Sequence, residues 1–232
     1  MTVTIEVIER YLGQTIKDPY GRVIGHVISF YSDSDGNVTS IEISVGETKF
    51  MQIPVDRVKL SGDNIVLLPE WQYDAEKVTK RLERLRKRLH AIEDLYTKKE
   101  IPRHAYETFK KKLEDELMKV KDHAQKVKET LKKKIHELED TIIELERAFT
   151  SIKMSYIAGE ISDKAYKLAA EQLRRHLEYN MAEKEDVKKY VDKIEKLETQ
   201  PLPIHPRATG KEEEATIPSE EQPLPVVVIE GT

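Results

Sequence analysis

Side chains able to do acid–base or metal chemistry are plentiful in this 232-residue sequence, but their spacing does not assemble a reaction centre. The seven histidines, His26, His90, His104, His123, His136, His176 and His205, could act as bases or metal ligands, yet no two stand four residues apart around an acid. His136-Glu137 opens like a zinc-protease helix motif, but the position for the second histidine holds Asp140. Asp33, Asp35 and Asn37 begin like a calcium loop; the glycine that such a loop needs is replaced by Val38, and no glutamate closes it. Neighbouring carboxylates such as Glu114 and Glu116, or Glu212 to Glu214, lie in charged stretches with no apolar surroundings to drive their pKa values apart. There is no G-x-x-x-x-G-K loop, no G-x-S-x-G elbow and no cysteine, which removes thiolate catalysis, disulfide frameworks and cysteine-held zinc. The residues therefore point away from an enzyme, with no cofactor and no metal.

What remains is recognition chemistry, of two kinds. The first is cationic. Arg84, Arg86, Lys87 and Arg88 lie in "RLRKRL", and Lys110, Lys111, Lys112 and Lys132, Lys133, Lys134 form two lysine triplets. Residues 71–134 carry 20 basic and 12 acidic side chains, whereas residues 1–70 carry 6 and 10 and residues 135–198 carry 11 and 15. One basic block in a protein of net charge −4 suits a polyanion, and a helical lysine triplet must turn part of itself to solvent. No aromatic interleaving accompanies it, so binding to DNA would be backbone-directed, sequence-blind and salt-sensitive. The second kind is the run Val226, Val227, Val228 and Ile229, which follows Pro223, Leu224 and Pro225 and precedes Glu230. Four β-branched apolar residues with no local core have high strand propensity, and an extended run of this type can add to the open edge of a partner's sheet.

The elements that carry these groups follow from hydrophobic period. From Asp74 the pattern is helical. Val78, Leu82, Leu85, Leu89, Ile92 and Tyr96 follow a 4, 3, 4, 3, 4 spacing, and a longer inward series runs from Tyr106 and Phe109 to Ile152 with two 4, 4 stutters, at Leu113 and Leu131. A third helix is expected over about Asp163 to Leu197, with Tyr166, Leu173, Leu177, Met181, Val187, Val191 and Ile194 inward. An internal repeat at an offset of 60 aligns residues 95–113 with residues 155–173, pairing Tyr96 with Tyr156, Glu100 with Glu160, Ile101 with Ile161, Tyr106 with Tyr166 and Leu113 with Leu173. Each copy reads as a hairpin corner, with Gly159 ending one helix, Ser162 capping the next and Pro102 in a helix start. Residues 74–198 should thus form two antiparallel hairpins sharing a middle helix of about 55 residues, the first helix along its N-terminal half and the third along its C-terminal half. Residues 199–222, rich in proline and glutamate, read as a disordered linker to a partner-binding peptide at 223–232.

Residues 1–70 alternate apolar and polar side chains, with "VIGHVISF" at 23–30 and "VTSIEISV" at 38–45 flanking a turn at Gly36-Asn37, and short strands at 50–69 around Ser61 to Asn64. This region resembles the PRC-barrel family through Gly13, Ile16, Asp18, Gly21, Ile24, Gly25 and Val27, then Ile53, Pro54, Val58, Gly62, Asp63, Ile65 and Val66. The resemblance implies a small β-barrel used for docking and assembly. The expected fold class is therefore multi-domain α+β: a barrel-like β domain, an elongated antiparallel helical-hairpin coiled coil and a disordered tail.

The order of barrel, repeated hairpins, proline-rich acidic linker and "PLPVVVIE" resembles the CdvA family of archaeal cell-division proteins. That resemblance implies filaments at mid-cell, contact with DNA in some members, and capture of the winged-helix domain of the ESCRT-III homologue CdvB by residues corresponding here to Pro223–Glu230. It implies self-association, and a membrane contact that is indirect. No stretch approaches the roughly 18 apolar residues of a membrane span and residues 1–8 lack a signal-peptide pattern, so a cytoplasmic location on the inner face of the membrane is expected. The rival is a nucleic-acid-coating or ribosome-associated protein, because PRC-barrels also occur in ribosome-maturation factors.

Overall fold

In a computed structural model, residues 3–62 and 64–199 are described; the linker from residue 200 and the peptide at 223–232 lie outside them, while Thr199, expected in the linker, ends the third long helix. Six strands, β1 (Thr15–Lys17), β2 (Val23–Ser32), β3 (Val38–Val45), β4 (Lys49–Pro54), β5 (Val58–Ser61) and β6 (Asn64–Leu67), form one sheet in the order β4-β3-β2-β1-β6-β5. Only the β1–β6 pair is parallel; the rest are antiparallel neighbours. Among the described residues no ladder joins β4 to β5, so the domain is barrel-like without closing.

Alternation decides which side chains fill it. Ile16, Val27, Ile41, Ile43, Ile53 and Ile65 are buried, together with Ile8 and Tyr11 from a helical turn, α1 (Ile5–Ile8), and the 3-10 turn after it, which the sequence reading did not anticipate. The Tyr11 hydroxyl donates to the Gly62 carbonyl at 2.6 Å, fastening that turn to the β5–β6 hairpin. Gly36 takes φ +79° in the β2–β3 turn, where Asp33 accepts from the Asp35 and Asn37 amides at 3.0 and 2.8 Å; the carboxylate thus serves the turn.

Helix α2 (Glu70–Thr97) begins directly after Pro69, four residues earlier than its period suggested. Trp71 and Ala75 extend the apolar spacing backwards from Val78, and both are buried. Helix α3 runs Arg103–Ile157 (55 residues) and α4 runs Asp163–Thr199. Both corners form as the repeat requires. Tyr96 stacks on Tyr106 with centroids 4.2 Å apart, and Tyr156 on Tyr166 at 4.4 Å. The helix ends match bond for bond: Lys99 N to Tyr96 O and Glu100 N to Leu95 O at one corner, Gly159 N to Tyr156 O and Glu160 N to Ser155 O at the other, the paired bonds of a Schellman cap. Ser162 Oγ caps α4 by accepting from Ala165 N at 3.2 Å.

The first and third helices are not confined to opposite halves of α3. The start of α2 and the end of α4 overlap around its middle, and Trp71, Val78, Leu82, Ala124, Leu131, Val187 and Ile194 make one buried cluster. Two-helix arms extend from this three-helix centre to the corners. The expectation that Met181 faces inward is corrected: Met181 is 49% exposed and Glu183 is 2% exposed. The inward face of α4 between Leu177 and Val187 passes through a polar residue because a charged group from the β domain meets it there.

Candidate interaction surfaces

The junction of sheet and helices is built on the turn between β1 and β2. Asp18, 5% exposed, accepts from the Tyr20 and Arg22 amides at 3.0 and 2.9 Å and from Arg22 Nε at 2.5 Å. Arg22 Nη2 then reaches Glu183 Oε2 at 2.5 Å, while Trp71 Nε1 donates to Glu183 Oε1 at 3.0 Å and Lys134 Nζ lies 3.9 Å from it. Burial works against the Arg22 charge, but its hydrogen bonds to Glu183 and Asp18 outweigh this and its pKa rises. Tyr20 packs on the helical cluster with its hydroxyl buried and unpartnered among the described residues; burial, followed by the charges of Asp186 and Glu183, pushes its pKa up. A second tie runs through Glu76, which accepts from Lys59 of β5 at 2.7 Å, Lys80 at 3.2 Å and the Tyr190 hydroxyl at 3.4 Å. Burial raises its pKa, but the hydrogen bonds from Lys59 and Lys80 leave it lowered overall. The positions of the β domain that matched the PRC-barrel pattern thus include Asp18, which orients the docking arginine.

The ten cations singled out in the sequence do not form one surface. Arg86 is spent on the α4 end, where its guanidinium donates to the Leu197 carbonyl. Lys110 donates to the Tyr106 hydroxyl at 2.9 Å and faces Glu93 at 3.6 Å, and Lys134 is half-buried beside Glu183. The remaining seven, Arg84, Lys87, Arg88, Lys111, Lys112, Lys132 and Lys133, make no ion pair among the described residues. Arg84, Lys87 and Arg88 share one stretch of α2, and Arg88 and Lys112 flank an open groove of about 450 Å³ between α2 and α3, floored by Ile92, Leu95, Ile101, Phe109 and Leu113. Sequence reasoning placed Phe109 in the helix seam, whereas it is 57% exposed in that groove. Among the described residues no group of three or more His, Asp or Glu is arranged to hold a metal, and no helix is long and apolar enough to cross a membrane.

Pro223 to Glu230 lie outside the described residues, so the peptide rests on its sequence alone.

Comparison with known proteins agrees with this architecture. A family model described as "CdvA-like coiled-coil domain" matches residues 70–216, which takes in all three long helices. "Cell division protein A" of Sulfolobus acidocaldarius is 36% identical over 209 residues, covering 90% of this chain and 87% of the relative. No solved structure matches. With the family model spanning more than half the chain and the relative aligned through both the β domain and the hairpins, the protein belongs to the CdvA family.

Proposed function

We propose that the protein is a non-enzymatic scaffold of cell division that self-assembles into filaments and recruits an ESCRT-III homologue, CdvB, by adding residues 223–230 as a strand to its winged-helix domain. The observation that carries the reading is the sequence run Val226 to Ile229 itself, four strand-forming apolar residues that follow a proline-rich acidic stretch. The family match ends at residue 216, so the recruiting peptide is argued from Leu224 to Ile229 themselves. In an added strand Leu224, Val226 and Val228 face one way and Val227 and Ile229 the other. Burying about four such side chains contributes roughly 6 to 10 kcal/mol gross. Ordering the segment offsets a few of these, which leaves a Kd on the order of micromolar. That strength suits reversible recruitment multiplied by the avidity of a polymer. Arg84, Lys87, Arg88 and Lys111, which make no ion pair among the described residues, support contact with DNA phosphates, weakening steeply with salt. Work at mid-cell on the inner face of the membrane belongs to the same reading, with lipid reached through the partner.

Calorimetric titration of a CdvB winged-helix domain into the full chain tests the recruitment step. Val227→Asp and Val228→Asp each place a carboxylate in the new strand, and Val228→Pro removes a ladder N–H. Binding should fall at least tenfold in the Pro variant and in the Asp variant whose side chain is buried. Wild-type affinity in all three variants would end the strand-addition reading, and capture of ribosomal proteins in place of CdvB by the intact chain would favour a ribosome-associated role.

A further inference from the structure

We propose that the groove at the first hairpin corner binds the acidic face of α3 around Ile143 from a second copy of this chain; this deepens the assembly reading above and rests on it. The internal repeat supplies the first argument. Both corners keep the stacked tyrosines and the same cap, and Ile101 and Leu113 are matched by Ile161 and Leu173. At the groove the copies part: Leu95, Phe109, Arg88 and Lys112 correspond to Ser155, Ala169, Ala148 and Gln172. The second corner folds with small or polar residues at these four positions, its exposed Met154, Ile157 and Leu168 standing where the first corner has Asp94, Thr97 and Thr108, so closing a corner does not require Leu95, Phe109, Arg88 and Lys112. An exposed phenylalanine beside Leu95 on a two-helix arm is a helix-in-groove receptor.

Charge names the occupant. Residues 137–146, "ELEDTIIELE", present five carboxylates and no cation, with Ile143 45% exposed among them. Asp140, Glu144 and Glu146 make no ion pair among the described residues, and neither do Arg84, Arg88, Lys112 and Lys119 near the groove. Near the groove the cations Arg84, Arg88, Lys112 and Lys119 outnumber the one carboxylate, Glu116, and around Ile143 the carboxylates Asp140, Glu144 and Glu146 outnumber the one cation, Arg147, so the two surfaces are opposite in net charge. Both surfaces belong to one continuous helix, Phe109 and Ile143 lying 34 residues or roughly 50 Å apart along it, so they cannot meet within a chain. Joining different patches of successive copies is a heterologous contact, which repeats without closing unless a ring forms.

Sedimentation velocity and light scattering of the full chain test this. The wild type should assemble, and less so as salt rises. Leu95→Ser/Phe109→Ala, the residues of the second corner, should raise the concentration needed for assembly at least tenfold with unchanged helix content. So should Arg88→Glu/Lys112→Glu and Glu144→Lys/Glu146→Lys, each alone. Mixing the two charge-reversed proteins, or combining all four changes in one chain, should restore assembly, because every reversed groove then finds a reversed face. A monomeric wild type across the micromolar range would overturn the assembly reading itself. Assembly of the wild type with no loss in any variant would overturn the groove assignment alone. Loss of phosphatidylglycerol-vesicle binding by Arg88→Glu/Lys112→Glu, with assembly intact, would overturn it in favour of lipid.

Discussion

Lys99 stands at φ +60°, the left-handed conformation that Gly159 occupies at +74° in the equivalent cap. A side chain there costs about 1 to 2 kcal/mol relative to glycine through the clash of Cβ with the backbone, part of which glycine loses again as unfolded-state entropy. Lys99→Gly should therefore stabilise the chain by about 0.5 to 1 kcal/mol, and Gly159→Ala should destabilise it by about 1 kcal/mol. Urea midpoints of both variants against wild type check this, and a loss of stability in Lys99→Gly would show that the lysine stem contributes packing at the corner. Gly25 answers to a different constraint: a Cβ there would overlap the Ser44 carbonyl oxygen of the paired strand, so β2 and β3 can approach only over a glycine.

At the scale of the element, α4 shows how a helix accommodates a buried charge. Its apolar spacing lapses between Leu177 and Val187, and Glu183 fills the inward position, where Arg22 and the Trp71 indole satisfy it. Glu183→Ala leaves both donors without their acceptor and should destabilise the protein by about 2 to 4 kcal/mol, while Glu183→Gln keeps an acceptor for Trp71 and should cost less. Met181→Gln, two residues away on the solvent side, should change stability by no more than about 0.5 kcal/mol. Denaturant unfolding of the three variants gives the ordering; equal effects at 181 and 183 would contradict the rotation of α4 described above. The same helix end is held against α2 and α3 by Arg86 on the Leu197 carbonyl and by Lys128 to Glu198 at 2.6 Å.

For the folded body as a whole, Glu76 touches three elements: Lys59 of β5, Lys80 of its own helix and Tyr190 of α4. Its pKa is lowered on folding from an ordinary 4.5, so the ionised form is favoured by the fold. The stability it contributes is present above pH about 4.5 and is lost as pH falls through the lower folded value, where both states become protonated. Glu76→Gln should accordingly lower Tm at pH about 7, and the gap to wild type should narrow progressively as pH falls below 4.5. A gap that stays constant over that range would mean that Glu76 acts through packing rather than charge.

Much of this architecture was legible in residue spacing because it is local. The 4, 3 periods set the helix faces, the repeat placed both corners, and the stacked pairs Tyr96–Tyr106 and Tyr156–Tyr166 follow from two helices reversing within a few residues. Alternation gave β2 and β3 their inward sides for the same reason, and the membership of the CdvA family could be read from the order of these parts. The start of α2 at Glu70 and the turn at Ile5–Ile8 escaped because short apolar spacings next to proline or at a chain end carry little periodic signal. Tertiary structure alone decided which cations stay free. Arg86, Lys110 and Lys134 are indistinguishable by composition from Arg84, Arg88 and Lys112, and differ because the Leu197 carbonyl, Glu93 of the neighbouring helix or the buried Glu183 lies within reach. It also decided that Glu183 is core and Phe109 is surface, since periodicity tells a helix which way it could face, while the partner present on that side determines whether the position is buried.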